Sequence, residues 1–413
     1  MTHSVFSLTV VLSASKQTGG GFHQALTNLE MILRNRPPGF TLTVFDARRS
    51  FSHELGQIRD QGLLDGVAVV SVPKRLESLR DRLVTDDSIP FRILRMLLSI
   101  AGHKVKTSVL ARFLDNSSAD LVYFTSPAPE AAELSRKPYV WTLWDLCHLD
   151  SPEFPEVRTW GKFEAREDFT SRALRKAASV VVDSDELVDR AVLYFGLPKD
   201  KFVSIPFSAP SSREKGFVAI DHLPQEILDF QGKYFFYPAQ LWTHKNHLRI
   251  VEALPALNSS GYDFHAVFVG KDHGAGASIR RGVAELGMES RVHFLGYVED
   301  EAIPALYANS LALVMASYFG PTNIPPLEAM MLGTPVIASD VHQNQLASGA
   351  LYFNPDDSTE LSQRMLEVID SATRRALIKN GHKRIIEIDR LRDVGEKALV
   401  SQLSALSKRI MSP

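Results

Sequence analysis

Cysteine is nearly missing from this chain: its 413 residues contain one, Cys147. A single thiol forms no internal disulfide and no cysteine-based zinc site, and such usage fits a reducing compartment. Long hydrophobic runs are missing as well, and none approaches the ~18 residues of a membrane span. The first apolar stretch, Val5–Leu12, is broken by Ser7 and Thr9, follows no basic region and is too short for a signal peptide. It reads as a strand, and a cytoplasmic protein is the expectation. Neither sign of charge dominates: 46 Lys and Arg stand against 48 Asp and Glu, for a formal net charge of −2. A nucleic-acid footprint over the whole surface is therefore not expected. The dinucleotide fingerprint G-x-G-x-x-G does not occur.

What is present is the balance of a globular protein with a sizeable core, 45% hydrophobic and 23% charged residues. The length corresponds to roughly two to three domains. Short apolar runs alternate with helix-length amphipathic segments. Strands are expected at Ser7–Leu12, Thr41–Phe45, Val67–Val72, Leu121–Phe124, Val140–Leu143 and Val180–Val182. A second set follows at Tyr234–Tyr237, His265–Val269, Val292–Phe294, Leu311–Met315 and Val336–Ala338. Helical patterns lie between them, for example Gly21–Arg34, Glu164–Lys176, His247–Leu257, Ser278–Leu286, Pro326–Leu332 and Thr359–Ile369. Near-continuous apolar strands separated by helices indicate parallel sheets covered on both faces. The fold class is α/β, and so many strands imply two doubly wound units. The boundary falls near Ile205–Asp221, a Pro- and Ser-bearing stretch without a clear period. The last segment, Leu391–Ile410, places Leu399, Leu403, Leu406 and Ile410 on one helical face.

Four segments could carry chemistry, each where a strand gives way to a loop, the position at which doubly wound sheets bind ligands. Gly19-Gly20-Gly21 lets backbone approach a ligand closely, or forms a plain tight turn. In Trp144-Asp145-Leu146-Cys147-His148, a carboxylate and an imidazole can bind sugar hydroxyls or move a proton; a loop cap and a surface histidine are the alternative. Cys147 reads as a small buried residue. In Pro238–Asn246, Lys245 puts a cation beside a helix start, which suits a diphosphate; a solvated lysine with Asn246 as N-cap is the alternative. In Ser317–Ala329, prolines and Gly320 hold a turn whose N–H groups near Asn323 and Ile324 can face a phosphate. Glu328 could accept from a ribose diol, or simply complement the helix dipole. None of these loops carries an Asp-x-Asp or a His/Glu metal cluster, and His244 and His247 with Lys245 between them make a poor metal site.

Together these residues resemble the family-four retaining glycosyltransferases of the GT-B fold, most strongly from Tyr234 to Asp356. Ile324–Met330 followed by Gly333–Ser339 looks like the donor-site signature of that family, and Lys245-Asn246 stands where it has a phosphate-binding lysine. Phe294–Val298 resembles the segment whose backbone meets the nucleotide base, near Tyr297. Gly19–Gly21 matches its triglycine loop, and Trp144–His148, continuing to Pro152-Glu153-Phe154, resembles the acceptor-side loop. Three positions depart from the pattern: Gln240 replaces an arginine, Gly320 the first acid of a Glu-x7-Glu pair, and Trp144 the histidine of His-Asp-Leu.

The resemblance implies two Rossmann-like domains facing a cleft: residues 1–206 on the acceptor side, 207–390 on the donor side, and 391–413 returning to the first domain. It implies a metal-independent transfer of a sugar from a nucleoside diphosphate to a hydroxyl, with retention, in surface polysaccharide or lipopolysaccharide biosynthesis. No cofactor is expected, and GDP-mannose is the first guess for the donor. The donor would meet Gly20, Gly21, Gln240, Lys245, Tyr297, Asn323, Ile324 and Glu328. Lys245, Glu328, Asp145 and His148 are the catalytic candidates, and hinge motion is expected near Pro206–Pro210. The partners would be the nucleotide sugar and an oligosaccharide or lipid-linked acceptor. A basic, acid-free stretch, Phe91–Leu114, could rest on the inner face of a membrane, or pack on the sheet with a solvated basic face. A nucleotide-sugar epimerase and a non-catalytic nucleotide-sugar-binding subunit are the competing functions.

Overall fold

The computed structural model describes residues 5–14, 20–71, 108–209, 223–229, 233–259, 261–320 and 322–412. Gly19, most of the basic stretch 91–114, the boundary residues 210–222 and Pro321 lie outside the described residues. The chain divides into two compact units. The first comprises residues 1–146, 165–206 and 392–413, and the second 147–164 and 207–391. The sequence reading placed 147–164 in the first domain, whereas those residues group with the second unit.

The first unit holds strands β1 (Phe6–Leu12), β2 (Phe40–Asp46), β3 (Ala68–Ser71), β4 (Leu121–Phe124), β5 (Tyr139–Thr142), β6 (Ser179–Val182) and β7 (Phe202–Ser204). All pair in parallel, in the order β3-β2-β1-β4-β5-β6-β7. The β1–β4 pairing sets Leu8 opposite Leu121 and Val10 opposite Tyr123. These side chains are buried, as expected of a parallel sheet with both faces covered. Helix Asp185–Phe195 shows how the flanking segments are bounded. The Ser184 hydroxyl accepts from the Leu187 N–H, two acids occupy the first turn, and left-handed Gly196 ends the helix.

The second unit holds β8 (Lys233–Pro238), β9 (Phe264–Val269), β10 (Val292–Gly296), β11 (Ala312–Met315), β12 (Val336–Ser339) and β13 (Ala350–Phe353). Its parallel sheet runs β10-β9-β8-β11-β12-β13. From β8 the chain builds outward through β9 and β10, then returns to lay β11 on the other side of β8. The loops after β8 and β11 therefore flank the point where strand order reverses, the general location of ligand sites in open α/β sheets.

Helix Ser371–Met411 runs for 41 residues, twenty residues longer at its start than the periodicity of Leu391–Ile410 implied. Its residues from Arg392 onward group with the first unit, where Leu399, Leu403 and Leu406 join the core that contains Leu8, Ile32 and Val44. Gly395 makes that approach possible: a β-carbon there would lie 2.1 Å from the Ser204 carbonyl oxygen. No helix among the described residues is long and apolar enough to cross a membrane.

Candidate functional site

The loop after β8 is held from several sides. Tyr237, buried at the end of β8, donates its phenol hydrogen to the Lys245 carbonyl at 3.1 Å. The Leu241 N–H donates to the Lys271 carbonyl at 2.9 Å. Asn246 takes a left-handed conformation (φ 54°), and its side-chain amide donates to the Pro355 carbonyl at 2.9 Å. That amide thus ties the turn to the segment after β13 rather than serving as the N-cap considered from sequence. The chain then enters helix His247–Ser259. His247 is buried against Tyr237 and Phe268 and donates Nε2–H to the Ala239 carbonyl at 3.2 Å. Burial lowers its pKa to about 3, outweighing the Ala239 hydrogen bond, with the charges of Lys245 and His244 adding to the fall. His247 is neutral at working pH, so it adds no charge beside Lys245.

The loop after β11 meets this turn directly. The Tyr318 N–H donates to the His244 carbonyl at 2.9 Å, and the Tyr318 hydroxyl donates to Asp356 at 2.8 Å. Gln345 clamps the next turn. Its Oε1 accepts from the Asn323 N–H at 2.9 Å and its Nε2 donates to the Asn323 carbonyl at 2.7 Å. The Asn323 N–H is therefore already engaged, which removes it from the amides the sequence offered to a phosphate. The Asn323 side chain remains in the site: Lys245 Nζ donates to its Oδ1 at 3.4 Å. Gly320 stands at φ 86°, so the position that holds an acid in the family pattern here has a backbone that disfavours any side chain.

Pro325 and Pro326 open helix Pro325–Met331. Glu328 is buried in its first turn. Tyr307 approaches from below, its single hydroxyl hydrogen shared between Glu328 Oε2 at 3.0 Å and the Pro325 carbonyl at 3.2 Å. Lys245, Asn323, Ile324 and Glu328 are thus carried by adjoining loops at the switch point of one sheet. Gln240 lies in the same loop as Lys245 and accepts from Trp242 Nε1 at 3.0 Å. Tyr297 follows the end of β10 and is 67% exposed.

In the first unit, Gly20 and Gly21 begin helix Gly20–Arg34. A β-carbon on Gly21 would lie 2.6 Å from the Trp144 ring, so Gly21 is required by the indole packed on it. Asp145 pairs with Arg166 at 2.5 Å. His148 falls in the second unit and is fully buried, edge-on to Phe163 at 5.7 Å, which rules out the surface histidine considered from sequence. Cys147 is buried, as its sequence context suggested. Among the described residues, no group of three or more His, Cys, Asp or Glu side chains is placed to hold a metal ion.

Three residues of this region escaped the sequence reading: Tyr307, Gln345 and Glu156. Each acts across a long sequence separation, and a single sequence carries no signal for such a pairing. Glu156 contacts His244, 88 residues away.

Two parallel doubly wound sheets, with adjoining loops at the switch point of the second, define the GT-B class. Solved GT-B chains superpose on this one throughout: Anabaena Alr3699/HepE in complex with UDP (TM-score 0.64, 18% identity, 96% of this chain and 100% of that one). A sucrose-phosphate synthase from Thermosynechococcus elongatus does likewise (TM-score 0.62, 17% identity, 98% and 99%). Within that class, residues 222–384 match the family model "Glycosyl transferases group 1". The second unit is thus similar to the group 1 glycosyl transferases over those residues. Among curated proteins, the chain is 36% identical over 126 residues to the O-antigen chain mannosyltransferase RfbU of Salmonella typhimurium, 30% of this chain and 35% of that protein. It is 25% identical over 244 residues to the O-antigen chain mannosyltransferase B of Escherichia coli, 58% and 63% respectively. The chain therefore spans about a third of the first relative's length and under two thirds of the second's.

Proposed function

We propose that this protein is a glycosyltransferase of polysaccharide biosynthesis that moves a sugar, mannose as first choice, from a nucleoside diphosphate to a carbohydrate or lipid-linked hydroxyl. The observation that carries this reading is the meeting of the Lys245 turn with the Asn323–Glu328 turn at the switch point of the second sheet. The names of the Salmonella and Escherichia relatives support mannose and an O-antigen-like product.

In this reading Lys245 stabilises the charge that develops on the departing diphosphate, a preorganised contribution worth several kcal/mol in a closed site. Glu328, oriented by Tyr307, accepts from the ribose hydroxyls, and backbone near Tyr297 receives the base. Gly20 and Gly21 are the first unit's candidates for the diphosphate, and Asp145, rather than the fully buried His148, is the candidate for the transferred sugar or the acceptor. The acceptor oxygen bonds to the anomeric carbon on the face the diphosphate leaves, and its proton passes to the departing phosphate oxygen. The configuration is retained without a protein nucleophile or a metal.

The test is a panel of nucleotide sugars in a thermal-shift and hydrolysis screen, with a metal chelator present. One donor is expected to raise Tm and to release its nucleoside diphosphate slowly. Absence of any shift across the panel would overturn the reading.

A further inference from the structure

The Glu156 side chain is only 8% exposed and accepts twice from one residue. The His244 backbone N–H donates to its Oε1 at 2.8 Å, and His244 Nδ1 makes a close contact with the same oxygen. An ionised carboxylate only accepts, so Nδ1 carries the proton and the ring's tautomer and orientation are set. Burial by itself would raise the Glu156 carboxyl pKa, but the hydrogen bonds from His244 outweigh it and hold the group below its ordinary value. The oriented ring then stacks on Phe319, centroids 4.0 Å apart and planes 12° from parallel. Phe154, two residues before Glu156, stands edge-on to Phe319 at 5.3 Å and packs on Tyr318 at 5.4 Å. One short segment therefore grips both loops, beside Lys245 on one and just before Asn323 on the other.

An acid in this place is not explained by attraction, because its charge opposes that of a diphosphate. Geometry explains it. The lysine side chain has large rotamer freedom, and its Asn323 contact at 3.4 Å is long, so the backbone beneath it must be fixed for the ammonium to be placed. We propose that Glu156 is a positioning residue for the nucleoside diphosphate, acting through His244 to set Lys245 and the Phe319–Asn323 turn. This rests on the donor-site reading above.

The test is a double-mutant cycle of Glu156→Ala and Lys245→Ala, with Glu156→Gln alongside. GDP, UDP and their monophosphates are titrated by calorimetry, and melting curves check the fold. With the diphosphate that binds the unaltered protein, Glu156→Ala is expected to weaken binding about tenfold while its monophosphate changes under about twofold. In the Lys245→Ala background the same change should cost less than about twofold, because coupled residues are not additive. Glu156→Gln, whose amide oxygen can still accept both bonds, should stay within about threefold of the unaltered protein. If Glu156→Ala melts below the assay temperature, Glu156→Asp carries the same comparison. Equal losses in both backgrounds, or equal losses for monophosphate and diphosphate, would overturn the proposal and leave the donor site standing. Undiminished diphosphate binding in Lys245→Ala alone would instead remove the donor-site reading, and this proposal with it.

Discussion

The Tyr307 hydroxyl lies 3.0 Å from Glu328 Oε2 and 3.2 Å from the Pro325 carbonyl, so one buried phenol holds both the carboxylate and the start of its helix. Tyr307 belongs to helix Ala302–Ala308, and its own carbonyl accepts from the Ser310 and Thr334 hydroxyls. Removing the phenol oxygen leaves a buried carboxylate with one donor fewer. Tyr307→Phe is expected to cost about 1.5–3 kcal/mol of stability in urea unfolding, the range for a hydrogen bond to a charged group. It should also weaken binding of the preferred nucleotide sugar, since the carboxylate loses its orientation.

Lys245→Ala separates recognition from folding, whereas Glu328→Ala touches both. Lys245 works in a turn whose backbone bonds do not use its ammonium. Its removal should leave the melting temperature within a degree or two while donor affinity falls roughly tenfold or more, as for loss of a charge-assisted contact. Glu328→Ala should weaken donor binding as well and also lower stability, because Tyr307 loses an acceptor. Unchanged donor affinity in both variants, read by calorimetry, would contradict the site.

Burial of His247 makes a pH prediction. Its folded-state pKa, about 3, lies below the ordinary value of 6.5. Between those values the unfolded chain binds a proton that the folded chain refuses. The stability this residue contributes is therefore complete above about pH 6.5 and falls as pH drops toward 3, by up to about 1.4 kcal/mol per pH unit. Urea unfolding at pH 7.5, 5.5 and 4.5 should show this slope, and His247→Gln should flatten it by about one proton's worth.

At Gly395 the prediction concerns shape alone. A methyl group there meets the Ser204 carbonyl oxygen at 2.1 Å, backbone that cannot rotate away. Gly395→Ala is expected to destabilise the first unit by about 3 kcal/mol through overpacking, measured by denaturant unfolding. Exposed positions of the same helix, such as Val394, should tolerate alanine.

Much of this architecture was legible because central parallel strands announce themselves. Leu121–Phe124 and Val180–Val182 are apolar at every position, and the structure buries them all. The strands that went unseen, β7 (Phe202–Ser204) and β13 (Ala350–Phe353), are short and lie at sheet edges, where one neighbour suffices and patterning is weak. The first half of helix Ser371–Met411 was missed because its partly exposed residues carry no clean apolar stripe. In the site, Lys245 and Glu328 were legible because their loops follow strongly marked strands. Glu156 was not, because its meaning comes from His244, and folding rather than sequence makes them neighbours.

Residues 392–413 belong to the unit that also contains residue 6. In a chain made from its N-terminus at ~5–20 residues per second, all seven strands of the first sheet have emerged roughly ten to forty seconds before Leu399, Leu403 and Leu406 exist to cover their share of its core. The second unit, complete by residue 391, can close without waiting. The usual order of vectorial folding is thereby inverted: the half that is synthesised first is finished last. Until then its uncovered apolar surface is the part of the nascent protein that a chaperone would recognise.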